Sequence, residues 1–176
     1  MKTTLALFAA AALSACASAP MTRPVDNASL PEAVRAPAGQ RALMTTAATG
    51  ELTYECRAAK DAADRHEWVF VGPVATLFGP DRKVVGKYYG GPTWESTDGS
   101  KVTGRQVAVA PGMSGSIPLQ LVKADPATGS GAMSKVNYIQ RINTRGGVAP
   151  ALPCTAAQVG QRQQVTYAAD YVFYGS

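Results

Sequence analysis

The chain has 176 residues, 46% of them hydrophobic and 16% charged, with a formal net charge of +5. That length fits one domain with a sizeable core. The basic residues stand singly or in pairs, as at Arg82/Lys83 and Arg141/Arg145, so no Lys/Arg run marks a nucleic-acid surface. With 17 glycines and 12 prolines, short strands joined by turns are expected in place of a helical bundle.

The first element is a targeting segment. Lys2 supplies a positive charge, residues 5–13 are an apolar run, and Leu13-Ser14-Ala15-Cys16 resembles a lipobox. The run is too short to cross a bilayer, which needs about 20 apolar residues. Residues 1–15 are therefore expected to be a lipoprotein signal peptide, with lipid added to Cys16. The alternative is an ordinary secretory peptide cut elsewhere, for instance after Ala19. Ala17 is not the aspartate that tends to hold lipoproteins at the inner membrane, so an outer-membrane address in the cell envelope is expected. Residues 16–30 are rich in Ala, Ser and Pro and read as a lipid-anchored flexible tether, leaving 31–176 as a single β domain. The membrane is thus the expected partner, reached through the lipid.

With Cys16 assigned to lipid, Cys56 and Cys154 form an even pair in an oxidising compartment. A disulfide is expected, two buried thiols being the alternative. Residues 41–58 read as a hairpin turning at Ala48-Thr49-Gly50, with Leu52, Tyr54 and Cys56 sharing a face. Residues 59–66 read as a loop or one helical turn. Strands follow at 67–71, stopped by Pro73, then at 74–78 and 83–89. Gly90-Gly91-Pro92 bends the chain before Thr93-Trp94-Glu95, and Asp98-Gly99 marks a tight hairpin whose return strand, 101–110, has a candidate bulge at Gly104. Ile117, Leu119 and Leu121 share a face of the next strand, and 125–131 reads as a flexible loop. Residues 136–142 form a strand. In the last one, Val165, Tyr167, Ala169, Tyr171 and Phe173 alternate with polar or small residues. The sum is an all-β fold, a mostly antiparallel sandwich or barrel of about nine strands with at most short helical turns.

Several segments in one order, among them Tyr54-Glu55-Cys56, Gly90-Gly91-Pro92-Thr93-Trp94-Glu95, Ile139-Gln140-Arg141-Ile142-Asn143-Thr144 and the final Tyr171…Phe173-Tyr174, resemble a family of small secreted proteins known only as a domain of unknown function. The likeness spans about residues 30–175. It implies a β-rich exported domain, found in bacterial lipoproteins and fungal exported proteins. Many members carry a histidine where this chain has Tyr88, a departure from the family pattern. A malate-dehydrogenase label attached to some fungal relatives has no support in these residues. No G-x-G-x-x-G opens a helix after a strand, and no βαβ alternation offers a dinucleotide site.

No cofactor or metal site is expected, because His66 is the single histidine and two of the three cysteines are expected to pair. Gly112-Met113-Ser114-Gly115-Ser116 only approximates a nucleophile elbow. The aromatic group Tyr88, Tyr89 and Trp94, together with Arg141, is the candidate ligand-binding set. Gln140 and Arg141 alternate faces on one strand, so one of them points inward, or both lie on a polar barrel wall. The expected function is a non-enzymatic binding or structural module of the envelope, taking a small molecule or an envelope polymer. The alternative is a hydrolase of envelope polymers using the Glu95/Asp98 carboxylates.

Overall fold

Alternating residues and turn-forming dipeptides give eight strands, seen in a computed structural model that describes residues 25–176. The expected signal peptide, the expected lipidation site Cys16 and residues 16–24 of the expected tether lie outside the described residues. The strands are β1 (Arg41–Ala59), β2 (Ala62–Phe78), β3 (Val84–Tyr89), β4 (Thr93–Ser96), β5 (Lys101–Ala110), β6 (Leu119–Ala124), β7 (Tyr138–Gly146) and β8 (Arg162–Gly175). Each pairs antiparallel with the next, and β8 returns to β1, closing a barrel. Every strand is paired on both sides for part of its length, but β2 runs on past β3, so residues 62–73 have β1 as their one strand partner among the described residues. The fold is all-β and antiparallel as expected, and of the two architectures left open it is the barrel.

Two expected turns are instead strand interior, which is why eight strands replace about nine. Gly50 does not turn the chain. It pairs with Ala75 within β1, and a Cβ there would collide with the Val74 carbonyl oxygen. The glycine lets two backbones approach at a barrel bend. Nor does Pro73 stop β2. It pairs with Leu52 on one side, while β3 reaches only to Val74 on the other. Proline's missing N–H is tolerated there because no third strand asks for it. Val71 is the extra residue at a register shift beside it. Residues 59–66 form the tip of this long hairpin, not a helical turn. The bulge in β5 falls between Gln106 and Ala108, not at Gly104.

The inner core follows the alternation of β8. Val165, Tyr167, Ala169, Tyr171 and Phe173 all face the barrel interior, with Leu77, Trp94 and Ile139 among the fully buried side chains opposite. Ile117 joins this interior, whereas Leu121 belongs to an outer cluster with Val34 and Ala110. The shared face expected for 117–121 is split because Ile117 precedes β6. Successive hairpin turns alternate ends of the barrel. At the end holding the 97–100 turn, Met133 drops into the core from the 125–137 segment and plugs it. That segment, expected to be a flexible loop, is fastened by Lys101 and Thr128, which exchange backbone hydrogen bonds of 2.9 and 2.8 Å.

Residues 25–36 lie against the outer wall, with 3-10 turns at Asn27–Ser29 and Glu32–Val34. Val25, Leu30 and Ala36 cover Ile142, Val172 and Tyr174. Residues 25–30, assigned to a tether by composition, thus belong to the packed domain. Gln140 is fully buried beneath this strap. Its amide donates to the Val34 carbonyl (2.5 Å) and to Asn27 Oδ1 (3.1 Å), and accepts from the Tyr174 hydroxyl (3.1 Å). Cys56 and Cys154 form the expected disulfide, their Cα atoms 5.6 Å apart across 98 residues of chain. Closing a loop of that length contributes about 4–5 kcal/mol in the chain-entropy account. Core, strap, plug and disulfide are all built here from the described residues.

A candidate ligand-binding mouth

At the end opposite Met133, beside the Gly90-Gly91-Pro92 turn, the barrel opens into a cavity of about 450 Å³. Leu52 and Tyr54 of β1, Phe70 and Pro73 of β2, and Tyr88 of β3 line one side. Gln106, Ile117, Gln120, Val122 and Arg141 line the other. Gly104 also lines the wall. A Cβ there would lie 2.6 Å from both the Lys123 carbonyl oxygen and Val122 Cγ1, so glycine is what lets β5 and β6 pass this closely.

Arg141 takes its place from the strand register. It pairs with Gln120 on one side and Tyr171 on the other, on the face opposite Gln140. Of the two adjacent polar residues, Gln140 therefore holds the strap and Arg141 turns to the lumen. Its Nε and Nη2 donate to the Pro118 carbonyl at 3.2 and 3.0 Å. Pro118 precedes β6, so its carbonyl is not committed to a strand ladder. Gln120 Nε2 donates to Gln106 Oε1 at 2.7 Å, which ties β6 to β5 at the cavity wall.

Behind the cavity stands a group of phenols. The Tyr54 hydroxyl donates to the Gly147 carbonyl at 2.7 Å, and the hydroxyls of Tyr167 and Tyr171 are 3.5 Å apart. Burial pushes the Tyr88 phenol up, that of Tyr167 to about 12, and that of Tyr171 well above its ordinary value. The positive charge of Arg141 pulls the other way on all three and on Tyr54, so the guanidinium lies within reach of the lumen.

The four residues singled out from sequence separate in space. Tyr88 and Arg141 both line the mouth. Trp94 is fully buried, stacked on Tyr88 at 4.7 Å between ring centroids and edge-on to Tyr171, so it is core supporting the wall. Tyr89 follows Tyr88 on the same strand and hence points outward, where its hydroxyl donates to Glu95 Oε2 at 2.6 Å. Phe70, Gln106, Ile117 and Gln120 were missed. For Phe70, Gln106 and Gln120 the signal is the inward phase of their strands, visible once the register is known, whereas Ile117 enters from the segment before β6.

The carboxylate pair does not form a hydrolytic site. Glu95 accepts from Tyr89 and pairs with Lys87 at 3.2 Å, and these contacts lower its pKa. Asp98 accepts from Ser100 and Ala132, and its pKa is held at about 2. Neither lines the cavity. A general acid needs a pKa raised toward neutrality, the opposite of what these contacts do. His66 sits on β2 opposite Ala58, near the far tip of the long hairpin.

A family model described as "Protein of unknown function (DUF3455)" matches residues 37–175. No curated protein and no solved structure gives a match.

Proposed function

Since this chain belongs to the family described as a protein of unknown function (DUF3455), membership brings no activity with it, and we propose from the chain's own geometry that it is an envelope lipoprotein whose barrel mouth binds a small molecule. The observation that carries the binding role is the asymmetry of the barrel. One end is plugged by Met133, and the other holds an open cavity of about 450 Å³ with apolar walls and a few convergent polar groups. Small-molecule sites have this makeup and span about 300–1,000 Å³, often in barrel mouths. Support for the envelope address comes from the apolar run and Leu13-Ser14-Ala15-Cys16. Two or more acyl chains on one residue give stable anchoring.

One preparation tests both halves. The protein is extracted from membranes and weighed by native and by denaturing mass spectrometry. The denatured mass is expected to be that of residues 16–176 plus lipid on Cys16. The native mass is expected to exceed it by a small molecule that leaves on unfolding. An unlipidated chain beginning elsewhere sinks the anchor. A bare native chain whose melting temperature no small amphiphile or sugar raises sinks the binding role.

A further inference from the structure

We infer that the ligand of the mouth is an amphiphilic monoanion, a carboxylate on an apolar body, with the carboxylate seated on Arg141. This rests on the binding role proposed above and gives the ligand its class.

Among the described residues Arg141 is the single charged one lining the cavity. Among the described residues it forms no ion pair. Its hydrogen bonds go to one carbonyl oxygen, through Nε and Nη2, which leaves Nη1 without a partner among the described residues. A half-buried guanidinium balanced only by a carbonyl dipole favours an anion strongly, and its planar fork fits a carboxylate. Gln120, the cross-strand neighbour, adds no charge and is engaged with Gln106.

The remaining walls favour hydrocarbon. Leu52, Pro73, Ile117 and Val122 offer no donor or acceptor from their side chains. At the rim, Phe70 is 50% exposed and Val71 40%, apolar surface left in water at the entrance. An apolar body lying over these residues removes that surface from water. Charge counting sets the valence. One guanidinium offsets one negative charge, and a dianionic phosphate monoester would carry a second, uncompensated charge into a partly desolvated site. A neutral sugar would leave Arg141 unanswered.

The test uses the purified full protein with the disulfide intact and titrates decanoate and decanol below their aggregation limits by calorimetry. The two probes share a chain and differ in the anionic group. Decanoate is expected to bind at least tenfold more tightly than decanol, and Arg141→Gln is expected to bring decanoate down to the level of decanol. Gln120→Glu, which sets a carboxylate beside Arg141 without removing it, is expected to have the same effect. It serves as the second variant if Arg141→Gln does not fold. Equal binding of decanoate and decanol, or decanoate binding untouched by either folded variant, overturns the anion assignment and leaves the binding role standing. No binding of decanoate alongside a retained neutral compound in the native mass does the same. No binding of any compound removes both.

Discussion

Asp98 shows how a single side chain can hold two parts of the barrel end together. Its Oδ1 accepts from the Ser100 hydroxyl (2.6 Å) and the Ser100 N–H (2.9 Å), and its Oδ2 from the Ala132 N–H (2.8 Å). The Ser100 hydroxyl in turn accepts from the Met133 N–H at 3.1 Å, so the 97–100 turn and the plug share one carboxylate. Gly131 backs onto it at φ 155°, where any Cβ would meet that carboxylate. These bonds, the Ser100 hydroxyl first, lower the pKa from 3.8 to about 2. A pKa lowered by folding stabilises the fold fully above 3.8, and the contribution fades as pH falls toward about 2. Asp98→Ala is therefore expected to melt below the parent at neutral pH. The gap in melting temperature should close as pH falls through that window. A gap of constant size down to pH about 2 would mean that the carboxylate's charge has no part in the effect. The turn itself was legible from Asp98-Gly99, whereas its use as an anchor for residues 34 positions away was not. Nothing local in the sequence marks which backbone N–H a surface carboxylate will find.

At the level of elements, legibility tracked whether one local signal could be explained in two ways. β8 was read correctly because five alternating apolar residues have one reading, an inward face, and four of them are in the core with Val165 half-buried against it. β1 and β2 were each cut in two because Gly50 and Pro73 are turn formers in isolation. Only the partner strand shows that the glycine answers to Ala75 and that the proline stands one residue past the end of β3. The strap was misread for a related reason. Residues 25–30 look like linker by composition, and their burial depends on Gln140, Val172 and Tyr174, more than a hundred residues away. Gln140 is the hinge of this contact, since Asn27 Oδ1 also accepts from the Ala36 N–H (2.9 Å) while Asn27 Nδ2 donates to the Ala36 carbonyl (3.0 Å). Gln140→Leu keeps the volume and strands the Tyr174 hydroxyl and the Val34 carbonyl. Each such buried group costs about 1–3 kcal/mol. The expected result is a loss of about 2–6 kcal/mol in denaturant unfolding. Hydrogen exchange at Ala36 should accelerate more than at β8. Uniform acceleration would place the damage in the barrel and not in the strap. The strap falls before the first residue matched by the family model, while Gln140, to which it is tied, falls within the match.

The whole molecule is a closed β wall around phenols, and this gives it a chemical signature at high pH. Tyr54, Tyr88, Tyr167 and Tyr171 all face the interior, and burial raises the pKa of each, that of Tyr167 to about 12. Arg141 opposes the rise at every one of them without overcoming it. A phenol whose pKa is higher in the folded state favours folding fully below its ordinary value of 10. That contribution is lost as pH climbs toward about 12. The phenols also stand close enough to resist one another's ionisation, as Tyr88 and Tyr167 each raise Tyr171. Most of the tyrosinate absorbance is therefore expected to appear together with the loss of β-sheet circular dichroism, between pH about 10 and about 12, and not as independent titrations near 10. Tyr171→Phe keeps the ring that packs on Tyr88 and Trp94 at centroid distances of 5.2 and 5.6 Å, and removes the most deeply buried phenol. Its alkaline unfolding is expected to move to higher pH. A midpoint unchanged in the variant, or tyrosinate formed with the barrel still folded, would show that the interior takes the charge. In that case water reaches the phenols from the mouth, and the lumen behind Arg141 is wetter than its packing implies.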